Sequence, residues 1–217
     1  MISFSQVYKR YPGGHEALNN LSFTIEPGEM TFITGPTGAG KSTLLKLVAA
    51  IEKPSSGSVV VSGQNVGQLR GAAIPFLRRK LGLICQDHKL LYDRNVLENV
   101  ILPLDIAGLP RTESLKRASA ALDKVKLLAL EKARPISLSG GEQQRLCVAR
   151  AIANRPAIVL ADEPTGNLDA EYAGEIMEMF RSFNQVGVTL LIATHDEQLI
   201  ARYGGRILHL KQGALQA

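Results

Sequence analysis

Hydrophobic and polar positions divide the chain into stretches of different period. Near the N-terminus "ISFSQV" alternates apolar and polar residues, "LSFTIEPGEMTFITG" holds two short apolar runs either side of Pro27-Gly28, and "GSVVVSG" is a further run between glycines. Short runs bounded by turn residues predict strands. In the second half "AIVLA" (157–161) and "VTLLIA" (188–193) are almost wholly apolar, with a helical stretch near Ala170 to Phe183 between them. That is the pattern of parallel strands buried on both faces of an α/β sheet. From about Gln86 to Ala153 the period becomes helical, and "RTESLKRASAALDKVKLL" sets Leu115, Ala118, Leu122 and Val125 three or four residues apart. The pattern predicts one α/β domain over 1–217, with an N-terminal β part and a helical subdomain at about 87–153 inserted in the core.

Composition narrows this picture. At 217 residues and 45% hydrophobic, the chain is long enough to bury a sizeable core. Runs such as Leu44 to Ile51 fall far below the roughly 18 apolar residues of a membrane span, so the chain is expected not to cross a membrane by itself. The start "MISFSQVYKRYPGG" has no apolar core behind a basic segment, and Cys85 and Cys147 lie far apart without a CxxC pattern; both point to a reduced cytosolic protein without a zinc site. A net charge of +5 is compatible with nucleic acid, an anionic membrane surface or a solvated exterior. Lys and Arg spread loosely over 70–80 and 111–134, Trp is absent and aromatics are 5%, which favours the solvated face and leaves nucleic acid last.

Candidate chemistry begins with "GPTGAGKSTLL", which matches G-x-x-x-x-G-K-[ST] at Gly35, Gly40, Lys41 and Ser42. It follows the strand "MTFIT" and precedes the helical run "TLLKLVAAI", the context this motif requires. Through Pro36, Thr37, Gly38, Ala39 and Thr43 the loop can curl its N–H groups around phosphate oxygens; Lys41 then reaches the β- and γ-phosphates and Ser42 can ligate Mg²⁺. Asp162 and Glu163 end the strand "AIVLA", where open α/β sheets place ligands. Neighbours on a strand point opposite ways, so two jobs are expected: Asp162 to hold Mg²⁺, Glu163 to orient or deprotonate the attacking water. In "LSGGEQQRLCVARAIANRP", Ser139 and Glu142 form a capping box, which reads either as a well-capped helix or as a second anion-binding terminus built from Ser139, Gly140 and Gly141.

"LSGGEQQR" resembles the signature motif of the ABC-type ATPases, and further elements follow in that family's order. Gln86 resembles the Q-loop glutamine, "GNLD" ending at Asp169 the D-loop, His195 the switch histidine and Tyr11 the aromatic that stacks on adenine. The resemblance implies a P-loop NTPase fold with a RecA-like core, an N-terminal antiparallel β subdomain and an inserted helical subdomain, using ATP and Mg²⁺, with Gln86 joining Ser42 and Asp162 at the metal. It further implies a head-to-tail homodimer in which Ser139 acts across the interface, Lys41, Glu163 and His195 are catalytic, and Asp169 and His195 report each site's state to the other.

"IPFLRRKLGLICQDHKLLYDRNVLENVILPL" is similar to the cell-division branch of these ATPases, although Cys85 stands where that branch leads us to expect Phe. The branch pairs with a polytopic FtsX-like membrane protein that controls cell-wall hydrolysis. The likeness implies docking near Gln86 to Val100, through Leu90, Leu91, Tyr92 and Val96 among Asp87, His88, Lys89 and Arg94. It implies a peripheral place on the cytoplasmic face of the bacterial inner membrane at the division site, and leaves room for contact with the division ring. A lipoprotein-release or macrolide-export ATPase is the sister reading. A soluble cassette acting on ribosomes or DNA, or a module without catalysis, fits the single complete set of motifs less well.

Overall fold

The computed structural model describes residues 1–216. The chain opens with β1 (Ile2–Arg10) and β2 (Glu16–Ile25), turns at Pro27-Gly28 into β3 (Met30–Thr34), and passes through helix α1 (Lys41–Val48) to β4 (Ser56–Val61) and β5 (Gln64–Asn65). β1 pairs antiparallel with both β2 and β4, giving a four-stranded sheet in the order β2-β1-β4-β5. β3 leaves that sheet. After α2 (Ala73–Arg78) and β6 (Leu81–Ile84) come α3 (Val96–Ile106), α4 (Arg111–Lys124) and α5 (Gly140–Ile152), then β7 (Ile158–Asp162), α6 (Ala170–Gln185), β8 (Thr189–Ala193), α7 (Glu197–Tyr203) and the hairpin β9 (Arg206–Lys211) and β10 (Ala214–Leu215). β3 sits inside a second sheet, order β10-β9-β3-β8-β7-β6, in which every pairing except the β9–β10 hairpin is parallel.

Two hydrophobic cores flank the parallel sheet, which explains why its strands are apolar at successive positions. Ile158 and Leu160 of β7 and Leu191 of β8 pack with α1 and the antiparallel sheet. Their neighbours Val159, Ala161, Leu190 and Ile192 pack on the other side with α5 and α6, in a core that continues into α3 and α4. Alternation across a pleated strand sends consecutive residues to opposite cores, so both faces are mainly apolar, and the buried Thr31 and Thr189 are threonines at the strand starts.

α4 buries Ala118 and Leu122, and Val125 just past its end, as the period predicts, but Leu115 is 37% exposed and Ser114 takes the inward position. The buried stripe therefore starts one residue earlier than the apolar pattern implies. The segment before α3 also differs from its sequence reading. Leu90 and Val96 turn into the core and Leu91 is half-buried, leaving Tyr92 as the exposed aromatic. An inward anchor fixes this: buried Asn99 donates to the carbonyls of Leu91 (3.0 Å) and Asn95 (2.9 Å), and its side-chain oxygen accepts from the Leu91 N–H (2.9 Å).

Asn99→Ala strips those partners from buried backbone groups and should destabilise the fold by about 2 kcal/mol. A lower denaturant midpoint at unchanged m-value is the expected reading.

Candidate active site

The loop between β3 and α1 is shaped by close backbone contacts. Gly35 has φ 136°, and a Cβ there would lie 2.1 Å from the Leu210 carbonyl oxygen; at Gly40, φ 107°, it would lie 2.5 Å from that of Ala17. Only glycine satisfies both the conformation and the approach. Gly40 caps α1 without a side chain, and its first turn holds no acidic residue, so the positive end of the helix stays open to an anion. Lys41, 9% exposed, folds back over the loop and donates to the carbonyls of Gly35 (2.7 Å) and Pro36 (3.3 Å).

Residues 37–43 form one wall of a cavity of about 310 Å³, faced by Gln86, Asp162, Glu163 and His195. Asp162 ends β7, but Glu163 has φ 47° and is off the strand. The expectation that the two carboxylates point apart therefore fails: the left-handed turn swings Glu163 back, and both line the same cavity. Glu163 lies 3.8 Å from the Lys41 ammonium and 3.0 Å from His195 Nδ1. An ionised carboxylate only accepts, so Nδ1 carries the proton and donates to Glu163.

Asp162 has a different environment. Burial, the largest influence, raises its pKa above 3.8; the Ser42 hydroxyl pulls it down and the neighbouring Glu163 charge pushes it up. Its Oδ1 is buried without a hydrogen-bond partner among the described residues. An orphaned carboxylate oxygen beside a hydroxyl is an oxygen donor set that would fit Mg²⁺. Gln86 lines the same cavity.

Other expected site residues lie outside this cavity. Tyr11 stands at its edge, its hydroxyl 3.4 Å from Thr43 Oγ1. Ser139 caps α5 as the S-x-x-E spacing predicts: the Glu142 carboxylate accepts from the Ser139 N–H (2.7 Å) and hydroxyl (2.9 Å), which holds Glu142 below the usual carboxylate range. Gly140 faces open space, whereas Gly141 lies under Tyr172, with 3.0 Å between a hypothetical Cβ and the ring. Asp169 caps α6 through the Tyr172 N–H. Within one chain, Ser139, Gly140, Gly141 and Asp169 line no part of the phosphate cavity, and Tyr11, Gly35 and Pro36 lie just outside its lining. Sequence reading did not single out His15, Ala17, Gly166 or Asn167, which do line it. The signals were weak: a histidine after the Gly13-Gly14 turn, and the first half of "GNLD".

The loop after Gln86 is tied to α5. His88 and Lys89 both have positive φ, an uncommon state for such residues, and Arg150 of α5 donates to both their carbonyls. Cys85 is partly buried with its pKa raised by burial, and burial pushes the Cys147 thiol of α5 up to about 12, so neither is a ready nucleophile.

Comparison with known proteins agrees with the geometry. The family model described as ABC transporter matches residues 18–166. The cell division ATP-binding protein FtsE of Escherichia coli K12 is 54% identical over 215 residues, covering 99% of this chain and 97% of the relative. FtsE of Bacillus subtilis 168 is 41% identical over 215 residues, covering 99% and 94%. Among solved structures, the dimeric post-hydrolysis ATP-binding cassette MJ0796, bound to ADP and Pi, superimposes with a TM-score of 0.92 at 36% identity, covering 100% of this chain and 97% of that one.

A raised Asp162 pKa means that the folded chain binds more protons than the unfolded one between pH 3.8 and the folded value. Stability falls as pH rises through that window, and the penalty is fully present at neutral pH. Asp162→Asn, without nucleotide or Mg²⁺, should therefore melt above the parent at pH 7.5, with the gap closing as pH falls towards 4. Thermal unfolding across that pH range checks it.

Proposed function

As the chain belongs to the ABC transporter family, we infer that it is the ATP-binding and ATP-hydrolysing subunit of an FtsEX-type complex, which couples ATP-driven dimer closure to a membrane partner controlling cell-wall hydrolysis during cell division. The observation that carries the chemistry is the convergence of Lys41, Glu163 and His195 on one cavity walled by the glycine loop. The cell-division role rests on likeness to FtsE over 99% of the chain.

ATP lies with its phosphates against the open N-terminus of α1, where backbone N–H groups and the Lys41 ammonium meet the β- and γ-oxygens. Gly35, Pro36, Thr37, Gly38, Ala39, Gly40, Ser42 and Thr43 form that cradle, and Tyr11 stacks on the base. Ser42, Asp162 and Gln86 hold Mg²⁺, which when bound neutralises charge on the β- and γ-phosphates. Glu163 is the general base: one oxygen is held by the His195 Nδ1–H, and the carboxylate takes the proton of the attacking water. The Lys41 ammonium stands 3.8 Å from the same carboxylate. His195, 73% exposed at its side chain, is free to meet the γ-phosphate while it orients Glu163.

Ser139, Gly140, Gly141 and Asp169 serve the site of a second copy. The exposure of Ser139, Gly140 and Asp169 away from the cavity supports this, as does the likeness to the dimeric cassette. On closure Ser139 exchanges its bond with Glu142 for one to the partner's γ-phosphate.

No helix among the described residues is long and apolar enough to cross a membrane, so an FtsX-type polytopic partner supplies the span. It docks on 86–100, where Tyr92 is 48% exposed beside exposed Asp87 and Arg94. Arg150 joins this segment to α5, so closure at Ser139 is felt where the partner sits. The complex lies on the cytoplasmic face of the inner membrane.

Glu163→Gln should bind ATP, dimerise and hydrolyse about 10²- to 10⁴-fold more slowly. Phosphate release and light scattering measure the two effects, and unchanged turnover overturns the assignment of the base. Pull-down of this variant from membranes with ATP should recover an FtsX-type protein; recovery of a lipoprotein-sorting permease instead contradicts the division role.

A further inference from the structure

The Lys9 ammonium is an unusually complete site. Lys9 lies near the end of β1 and is only 9% exposed. Its Nζ donates to Glu52 Oε2 at 2.7 Å and to the Lys53 carbonyl at 2.9 Å, and lies 4.9 Å from the centroid of the Tyr11 ring. An ammonium has three N–H donors. Two meet oxygens and the remaining positive face meets the aromatic face, a geometry in which the ring quadrupole attracts the cation.

Both oxygen partners follow α1, the helix whose first turn is the phosphate cradle. Tyr11 is thereby held from two ends of that helix, with its hydroxyl at Thr43 in the first turn and its ring over a lysine anchored at Glu52 beyond the last. Ser55 fastens the same loop to the strand end, accepting from the Arg10 N–H (2.9 Å) and donating its own N–H to the Tyr8 carbonyl (2.8 Å). Nothing in the phosphate chemistry requires this arrangement, which fixes the plane of one aromatic ring relative to the cradle.

We propose that Lys9 is a positioning residue for the nucleotide base: it covers one face of Tyr11, fixes the ring at a set height above the phosphate loop, and leaves the other face to the adenine. This rests on the stacking role given to Tyr11 above. The Lys9–Glu52 pair adds no net charge, so its effect is on the base and not on the phosphates. A cation behind the ring also withdraws electron density from the face that stacks, which favours an electron-rich purine there.

Binding of Mg²⁺-ATP and of Mg²⁺-tripolyphosphate to the full chain, measured side by side by calorimetry, separates base from phosphate. Lys9→Met, and the charge-balanced Lys9→Met/Glu52→Gln pair, should weaken ATP roughly 3- to 10-fold while tripolyphosphate stays within about 2-fold. Lys9→Arg, which can keep both the Glu52 bond and the ring contact, should restore ATP affinity. In a Tyr11→Leu background Lys9→Met should cost less than about 2-fold, because there is no ring left to position. Equal loss of both ligands, or unchanged ATP affinity in the charge-balanced variant, overturns the proposal. Full ATP affinity in Tyr11→Leu alone would sink the stacking role itself.

Discussion

The structure depends on the register of four parallel strands. β8 pairs with β3 on one side and β7 on the other, with Ala193 opposite both Ile33 and Asp162, and β6 pairs on with Ile84 opposite Ala161. All four strands thus end at one edge, and the chain leaves that edge as the glycine loop, Gln86, Glu163 and His195. The ladder continues past the strands: the Glu163 N–H reaches the Ala193 carbonyl (2.9 Å) and the Thr194 N–H that of Ile33 (3.1 Å). A slip of one residue in any pairing would send its apolar side chains to the wrong core, so burial on both faces fixes the chemistry at the edge.

The edge carries local costs. Asp162 is a half-buried carboxylate with one buried, orphaned oxygen, Glu163 adopts a left-handed backbone, and Lys41 donates to the carbonyls of its own loop. In the proposed function the metal answers Asp162 and the phosphates answer Lys41. Such strain persists only where the surrounding structure holds it, here through the buried sheet beneath. Helices α3 to α5 bring a second device, the α5 N-terminus at Ser139, but hold it away from the chain's own cavity.

Much of the sheet was legible because a strand with two buried faces must be apolar in sequence, as "AIVLA" and "VTLLIA" are. The glycine loop was legible because Gly35 and Gly40 have no substitute where another backbone comes so close. β6 was not, since it is four residues long and includes Gly82, where a Cβ would meet the Ala151 carbonyl at 2.7 Å; packing of α5 overrides strand propensity there. Nor was the shared direction of Asp162 and Glu163, which depends on one positive φ, nor the inward turn of Leu90 and Val96, which depends on Asn99. Period and motif spacing report faces and loops; they do not report where a chain reverses.

In the proposed function each catalytic site is assembled from two chains, with Lys41 and Glu163 from one and Ser139 from the other. Co-assembling a Lys41→Ala chain with a Ser139→Arg chain tests it directly, since each variant alone should be nearly inactive while a mixed dimer holds one intact site and one doubly broken site. Hydrolysis by the mixture should recover to roughly a quarter of the parent rate, one working site in the half of the dimers that are mixed. A mixture no more active than either variant alone, or a Ser139→Arg chain that hydrolyses ATP at the parent rate by itself, would contradict the shared site.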